Sequence, residues 1–104
     1  MKVTWTMPAL QDLDEIESFI ALDDYDRAVD FVNQLIDLGD SLCDPETCEK
    51  GTPVSWAKDS MVRELYHKGY SIVYEVDPGT EIIYIHEVYN QKRVYLRYGS
   101  RDHK

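Results

Sequence analysis

Residues 62–76 read VRELYHKGYSIVYEV, and the prediction of the fold rests on this stretch because it has the pattern of a β-hairpin. Residues 61–67 form one strand-like run, which leads through Lys68 and Gly69 into a second run over residues 70–76. In the second run every other residue is apolar, which is the period of a strand whose alternate side chains point to opposite faces of a sheet. The sequence therefore predicts two neighbouring antiparallel strands here.

A third strand is predicted directly downstream, after a tight turn. Residues 77–80 read DPGT, with proline and glycine at the two central positions, which is typical of a type II turn. Residues 81–89 alternate between two apolar sets, which are Ile83 and Ile85 on one face and Ile82, Tyr84, His86 and Val88 on the other. A strand that is apolar on both faces is expected in the interior of its sheet.

Upstream of the hairpin, the chain predicts a short strand and two helices. Residues 3–5 are β-branched or aromatic, and Pro8 suits the first turn of the helix predicted over residues 8–22. Residues 22–25 (LDDY) form a short break whose aspartates offer an N-cap, and a second amphipathic helix then ends near Cys43. Two helices joined by so short a link are expected to pack as an antiparallel hairpin.

The predicted order of elements is β-α-α-β-β-β, with residues 44–60 as a loop that contains glycine and prolines. This order indicates an α+β fold in which the helical hairpin covers one face of an antiparallel sheet and the first strand joins that sheet at an edge. A chain of 104 residues has room for one core, so we predict a single domain over residues 1–104.

Charge is distributed unevenly along the chain, whose total is −9. Residues 1–50 hold thirteen acidic residues against three basic ones, whereas the last fourteen residues hold five basic residues against Asp102. The overall charge disfavours nucleic-acid binding, but the basic end can meet a phosphate or an acidic partner. The chain has no apolar run long enough to span a bilayer, and its N-terminus is acidic, so we expect a cytoplasmic protein without membrane contact.

The residues that would hold a metal or a cofactor are sparse. Cys43 and Cys48 are accompanied only by three scattered histidines, which predicts two free thiols, with a redox pair as the alternative. The five glycines form no phosphate-binding motif, and there is no Ser-His-Asp set. We therefore expect neither a metal nor a cofactor.

Three segments together resemble the RelE/ParE toxin superfamily across nearly the whole chain. They are WTMPALQDLDEIESFIA (residues 5–21), RAVDFVNQLIDLGDSL (27–42) and VRELYHKGYSIVYEV (62–76). The resemblance implies the toxin of a type II toxin–antitoxin system, of the kind linked to plasmid stabilisation, which inhibits growth by one of two routes. RelE-like members cleave messenger RNA on the ribosome without a metal, and ParE-like members block DNA gyrase. Both bind an antitoxin that wraps its C-terminal segment over the toxin in a hetero-oligomer.

Departures from the RelE pattern favour the ParE-like branch. RelE-like enzymes place lysines on the first hairpin strand, where this sequence has Val62 and Glu64, and the arginine after the hairpin tyrosine is replaced by Ser71. Arg63 fits the ParE-like Val-Arg-Glu-Leu pattern better than the RelE-like one, although Ser71 breaks both patterns. Whether the protein is an enzyme stays open at this point. If it is one, the resemblance implies a metal-independent endoribonuclease with Arg63, Arg93 and Tyr98 as candidate catalytic residues.

The candidates for binding the target or the antitoxin are Arg63, Lys92, Arg93, Arg97, Tyr98 and Arg101. Each has a plainer interpretation: Arg63 as a partner of Glu64 or of the loop, the others as a solvated strand end and tail. His86 is expected to be an ordinary residue of its strand. Three functions follow: a gyrase inhibitor, a ribosome-dependent mRNA endonuclease, or a degenerate toxin that only binds its antitoxin, which the acidic body and the lost hairpin cations support.

Overall fold

Two helices lie across one face of a five-stranded sheet in the computed structural model, which describes residues 1–54 and 61–93, with side chains up to Lys92. The elements are β1 (Lys2–Trp5), α1 (Met7–Ala21), α2 (Tyr25–Asp40), α3 (Pro45–Lys50), β2 (Thr52–Pro53), β3 (Val62–His67), β4 (Tyr70–Asp77) and β5 (Ile82–Asn90). Short 3-10 turns follow α2 at Ser41–Cys43 and β5 at Gln91–Arg93. The predicted α+β fold is confirmed.

Each helix of the helical hairpin begins at a residue whose side chain caps it. The Thr6 hydroxyl accepts a hydrogen bond from the Ala9 amide at 3.4 Å, and Asp24 accepts one from the Arg27 amide at 3.1 Å. Each cap satisfies an amide that has no partner within its helix. Among the described residues no helix is long and apolar enough to cross a membrane.

The sheet has the strand order β1-β5-β4-β3-β2, so β5 lies in the interior as predicted. The sheet is mixed, however, because β1 pairs with β5 in parallel, with Val3 opposite Ile83. Strands β3, β4 and β5 are joined by short turns and must be antiparallel, whereas the helical hairpin follows β1 and leaves its direction free. The expectation of an antiparallel sheet therefore holds for β2 to β5 only.

The segment predicted as a loop over residues 44–60 contains a helix and a strand. Asp44 accepts a hydrogen bond from the Glu46 amide at 3.0 Å and caps α3, with Pro45 at the first helical position. The same two residues that end one helix thus begin the next, because proline is tolerated where the amide needs no partner. Strand β2 then pairs with β3, and residues 55–60 lie outside the described part of the chain.

The two strand-connecting turns differ from each other. Lys68 and Gly69 both have positive φ values, 47° and 88°, as in the type I′ turns that suit two-residue hairpins. The type II turn predicted over residues 77–80 is wrong, because Gly79 does not adopt the positive φ that this turn requires. Instead the Asp77 carboxylate accepts the Gly79 amide at 3.0 Å, and Glu81 takes the left-handed conformation with φ 58°.

A β-bulge in β5 changes which of its residues face the helices. Val73 pairs with Glu87 and Tyr74 pairs with Ile85, so His86 is an extra residue on β5. Past the bulge, Val88 packs in the same buried cluster as Ile85, although strict alternation had placed it on the opposite face. The amide of Val88 donates to the buried carboxylate of Asp12 on α1 at 2.9 Å.

The sheet consequently has two unlike faces. The covered face packs against the helices, and its cluster contains Ala9, Leu13, Ile16, Val32, Leu35, Leu42, Ile72, Tyr74, Ile83, Ile85 and Val88. The open face carries a much smaller apolar cluster, formed by Val54, Val73 and Tyr89 with Val62 beside them. Because successive strand residues point to opposite sides, each polar residue of β3, β4 and β5 can be assigned to one face.

Candidate functional site

The three hairpin positions at which the sequence departs from the RelE pattern lie on the open face. Val62 packs against the small apolar cluster there, and Glu64, two residues further along β3, is opposite Val73. Ser71 of β4 is opposite Tyr66 on one side and Tyr89 on the other. We define the open-face cluster as Glu64, Tyr66, Ser71, Tyr89 and Gln91.

Hydrogen bonds connect the members of the open-face cluster. The Tyr89 hydroxyl donates to Glu64 Oε1 at 3.2 Å, and the Gln91 side-chain amide donates to the Ser71 hydroxyl at 3.2 Å. Glu64 is 7% exposed and Ser71 is fully buried, so both polar groups are largely removed from water. A buried carboxylate is costly unless hydrogen bonds stabilise it, and Tyr89 provides one.

The two tyrosines of this cluster keep their protons at neutral pH. Burial, and after it the negative charge of Glu64, raise the pKa of Tyr89 to about 12. Burial also raises the pKa of Tyr66, with the charge of Glu64 and a hydrogen bond to it acting in the same direction. Both phenols therefore stay protonated near neutral pH, and neither supplies a phenolate as a base.

The predicted basic end begins at the edge of this cluster. The Gln91 amide donates to the Gly69 carbonyl at 2.8 Å, which holds the end of β5 against the β3–β4 turn. Lys92 follows, exposed, in the 3-10 turn Gln91–Arg93, and its amide donates to Asn90 Oδ1 at 2.8 Å. The Arg93 side chain, Arg97, Tyr98 and Arg101 are outside the described part, so the structure positions only Lys92 of this group in full.

Arg63 lies on the other side of β3 from Glu64. Its Nη1 donates to the Gly51 carbonyl at 3.1 Å, and its β4 neighbour Tyr74 donates to the Cys48 carbonyl at 2.6 Å. Both bonds tie the end of α3 to the sheet, and burial raises the pKa of Tyr74 to about 12. The geometry matches the interpretation of Arg63 as a partner of the loop, and it separates Arg63 from the open-face cluster.

His86 and the two cysteines have ordinary surroundings. His86 Nε2 is 2.8 Å from Glu75 Oε1, and its ring stacks on Tyr84 with centroids 6.4 Å apart. Cys43 is exposed and Cys48 is partly buried, and both are free thiols. Within residues 1–54 and 61–92, no three His, Cys, Asp or Glu side chains converge on a point where a metal ion would bind.

Sequence reasoning did not select Tyr66, Tyr89 or Gln91 as site residues. The signal that locates Tyr66 is its spacing of two from Glu64 on β3, which places both on one face. Tyr89 is harder to locate, because the bulge at His86 shifts the alternation of β5 before that residue. Only the pairing of Ser71 with Tyr89 across the two strands brings it to the cluster.

Comparisons with known proteins are consistent with this architecture. The family model described as the ParE toxin of type II toxin–antitoxin systems, parDE, matches residues 3–95. A chain from the chromosomal ParDE toxin–antitoxin system of P. aeruginosa has a TM-score of 0.68 and 22% identity, and the alignment covers 86% of this chain and 95% of that one. No curated protein sequence matches this chain.

A second solved structure is similar over the same length. A chain of the toxin–antitoxin complex RelBE2 from Mycobacterium tuberculosis has a TM-score of 0.60 and 16% identity, again over 86% of this chain and 95% of that one. At these identities the two structural likenesses concern the fold. The family is given by the sequence match, which extends over most of the chain.

Proposed function

The chain belongs to the family of ParE toxins of type II toxin–antitoxin systems, and from this premise we propose that it inhibits growth by binding DNA gyrase until a cognate antitoxin neutralises it. The observation that carries the choice of target is the buried carboxylate of Glu64 at the centre of the open-face cluster. We expect this activity in the cytoplasm, where both the target and the antitoxin are made.

The open-face cluster is poorly suited to cutting RNA. Cleavage without a metal needs a base for the 2′-hydroxyl, an acid for the leaving oxygen and cations that stabilise the phosphate as charge develops. At the hairpin positions where RelE-like enzymes have cations, this chain has Val62, Glu64 and Ser71. A phosphodiester placed on this face would meet the negative charge of Glu64, and the phenols beside it stay protonated. These features support an inhibitor that binds its target rather than a nuclease.

Binding to a protein target would use the basic end of the chain. Lys92 projects from the turn that follows the open-face cluster, and Arg93, Arg97 and Arg101 come after it in sequence. Charge-assisted hydrogen bonds from arginines are among the stronger polar contacts that one protein makes with another. We therefore assign target binding to this basic end, with Tyr98 as an aromatic contact within it.

The experiment that tests the target compares two activities of the same purified protein. Induction of the protein alone should arrest growth, and co-expression of the adjacent reading frame should relieve the arrest. The purified protein should inhibit supercoiling by gyrase, while primer extension on RNA from induced cells should show no new cuts. Ribosome-dependent cuts that disappear in Arg93→Ala would contradict the proposal and identify an endonuclease. Normal growth with full-length soluble protein would leave antitoxin binding as the sole function.

A charge-reversal pair locates the binding surface. Arg93→Glu with Arg97→Glu should abolish both growth arrest and gyrase inhibition, because each lost charge-assisted contact weakens binding by about 1.5–3 kcal/mol. Lys2→Glu with Lys50→Glu is the matched control, since it makes the same change in net charge at two exposed lysines elsewhere. Equal loss in the two double variants would mean that net charge, and not the basic end, controls the activity.

A further inference from the structure

The two cysteines of the chain lie on either side of the start of α3. Asp44 caps this helix and Pro45 is its first residue, so Cys43 directly precedes the cap and Cys48 is the fourth residue of the helix. At a helix start the side chains of these two positions often pack against each other across the first turn. The spacing of the two thiols is therefore one that places them side by side.

Both thiols face the same small cavity. The cavity has a volume of about 140 Å³ and is lined by Cys43 and Cys48 together with Met1, Leu42, Pro45 and Glu49. Apart from Glu49 these neighbours are apolar. Sulfur behaves as a soft, weakly polar atom, so an apolar cavity between two cysteines suits uncharged sulfur better than it suits a metal ion or a polar ligand.

Hydrogen bonds hold the backbone around this cavity. The Cys48 amide donates to the Asp44 carbonyl at 3.0 Å, and the Cys48 carbonyl accepts a hydrogen bond from the Tyr74 hydroxyl at 2.6 Å. The Asp44 amide donates to the Ser41 carbonyl at 2.9 Å in the turn that precedes the helix. None of these bonds involves a thiol, so a covalent change at sulfur leaves all of them in place.

The two thiols differ in their access to solvent. Cys43 is exposed, whereas Cys48 is partly buried and packs against the large apolar cluster between the helices and the sheet. Burial raises the pKa of the Cys48 thiol, and the positive charge of Arg63 opposes that rise. Because the thiolate is the nucleophile, Cys48 is the slower of the two to react with a reagent in solution. Cys43 is therefore the thiol that an oxidant reaches first.

We propose that Cys43 and Cys48 are a redox-sensitive modification site, at which a small disulfide such as glutathione disulfide converts the two free thiols into one intramolecular disulfide. In the cytoplasm, where we expect this protein, thiols are kept reduced and disulfides are mostly transient. The dithiol is thus the resting form, and the disulfide forms when the surroundings become oxidising. The inference is independent of the proposed function, because it concerns α3 and its thiols whatever the target is.

The reaction proceeds by two successive thiol–disulfide exchanges. The Cys43 thiolate attacks one sulfur of glutathione disulfide, which forms a mixed disulfide and releases one glutathione thiolate that takes up a proton. Cys48 then loses its proton to water, and its sulfur attacks Cys43 Sγ and releases the second glutathione. Two protein thiols are oxidised by two electrons, and one glutathione disulfide is reduced to two glutathione thiols.

Oxidation of the wild-type protein by glutathione disulfide tests the proposal. A protease that cuts after glutamate separates the two cysteines at Glu46, so their peptides stay joined only through a disulfide. We expect a monomer whose mass is lower by two hydrogen atoms, joined peptides after digestion, and recovery of both thiols with dithiothreitol. A disulfide-linked dimer, glutathione retained on Cys43, or two thiols that stay free would each overturn the proposal.

Two variants distinguish the paired geometry from simple thiol reactivity. Cys48→Ser should retain the mixed disulfide on Cys43, at least about tenfold more of it than the wild type, because no neighbouring thiol displaces the glutathione. Cys48→Ser with Lys50→Cys keeps two thiols but moves one of them about 200° around the helix, to an exposed position. We expect this control to retain glutathione as well.

The control decides whether the cavity is responsible. An intramolecular disulfide that forms as readily in the Cys48→Ser, Lys50→Cys variant as in the wild type would overturn the proposal, because any two nearby thiols would then suffice. Circular dichroism before oxidation checks that both variants keep the fold. The measurement on the wild type needs no substitution, so the proposal can be contradicted even if a variant unfolds.

Discussion

The same three strands form both faces of the sheet, but the buried residues of the two faces differ in polarity. On the covered face, Ile72, Ile83 and Ile85 are fully buried among helix side chains, and apolar packing accounts for their identity. On the open face, Val73 is as well buried, but it lies beside the buried carboxylate of Glu64 and the hydroxyl of Ser71. Packing alone would favour apolar residues at both polar positions. The covered face is therefore packed by apolar side chains, whereas the open face combines a small apolar cluster with buried polar groups that are hydrogen-bonded to each other or to their neighbours.

The largest effect should come from a matched pair of truncations. Val88→Ala on the covered face and Val73→Ala on the open face remove the same atoms from residues that are 2% and 1% exposed. We expect the first to lower the free energy of unfolding by about 2–3 kcal/mol and the second by about 1 kcal/mol, because the smaller open-face cluster can collapse around the void more easily. Urea denaturation measures both. Equal losses would show that the two faces contribute alike.

A second test concerns the hydrogen bond between Asp12 on α1 and Val88 on β5. Asp12→Ala leaves the Val88 amide without the acceptor that lies 2.9 Å away, just past the bulge. An amide left buried and unpaired should lower the free energy of unfolding by about 1–3 kcal/mol. Asp14→Ala, at an exposed position of the same helix, is the control and should change it by less than about 0.5 kcal/mol. A similar decrease in the free energy of unfolding of both variants would contradict a stabilising role of the Asp12 hydrogen bond.

The third prediction compares one tyrosine from each face at alkaline pH. Tyr74 on the covered face and Tyr89 on the open face have pKa values raised to about 12, above the ordinary value of 10. The folded protein therefore holds these protons more tightly than the unfolded chain, and the stability they provide is complete below pH 10 and lost as the pH rises toward 12. Over this pH interval, the free energy of unfolding of Tyr74→Phe and of Tyr89→Phe should fall less steeply than that of the wild type. Urea denaturation at a series of pH values measures it. A slope identical to that of the wild type would argue against the raised pKa values.

The smallest change in stability is expected at the centre of the open-face cluster. Glu64→Gln keeps an oxygen that accepts the Tyr89 hydrogen bond, so the free energy of unfolding should change by no more than about 1 kcal/mol. The pKa of Tyr89 should fall, because the charge that helps to raise it is gone, while burial keeps it above the ordinary value. Ultraviolet absorbance of the phenolate follows this titration. An unchanged pKa would mean that Glu64 carries no charge near Tyr89 in the folded protein.

Much of the fold could be read from local patterns. The periods of the two long helices and of β3, β4 and β5 are visible in short windows, and their observed bounds differ from the predicted ones by at most three residues. Helix α3 was missed because Asp44 and Pro45 suit a helix end and a helix start equally. The bulge at His86 was missed because one extra residue in a strand leaves the composition of β5 unchanged.

Only part of the candidate site could be predicted from the sequence. The resemblance located Val62, Glu64 and Ser71 as the positions where cations are absent, and the count of basic residues located the end of the chain from Lys92 onward. The roles of Arg93, Arg97, Tyr98 and Arg101 stay predictions. The role of Arg63 could not be assigned from the sequence, because the carbonyl that it binds belongs to Gly51. Gly51 is twelve residues away and is separated from Arg63 by a segment without periodicity.

Local patterns in the sequence were enough to predict β1, α1, α2, β3, β4 and β5, because capping and periodicity depend on neighbours in sequence. The parallel pairing of β1 with β5, the burial of Asp12 and the contact between Glu64 and Tyr89 depend on strand register and on the way the helices lie on the sheet. Those contacts join residues 25 to about 80 positions apart, and a shift in register by one residue would turn each strand side chain to the other face. For that reason the open-face cluster is a product of tertiary structure.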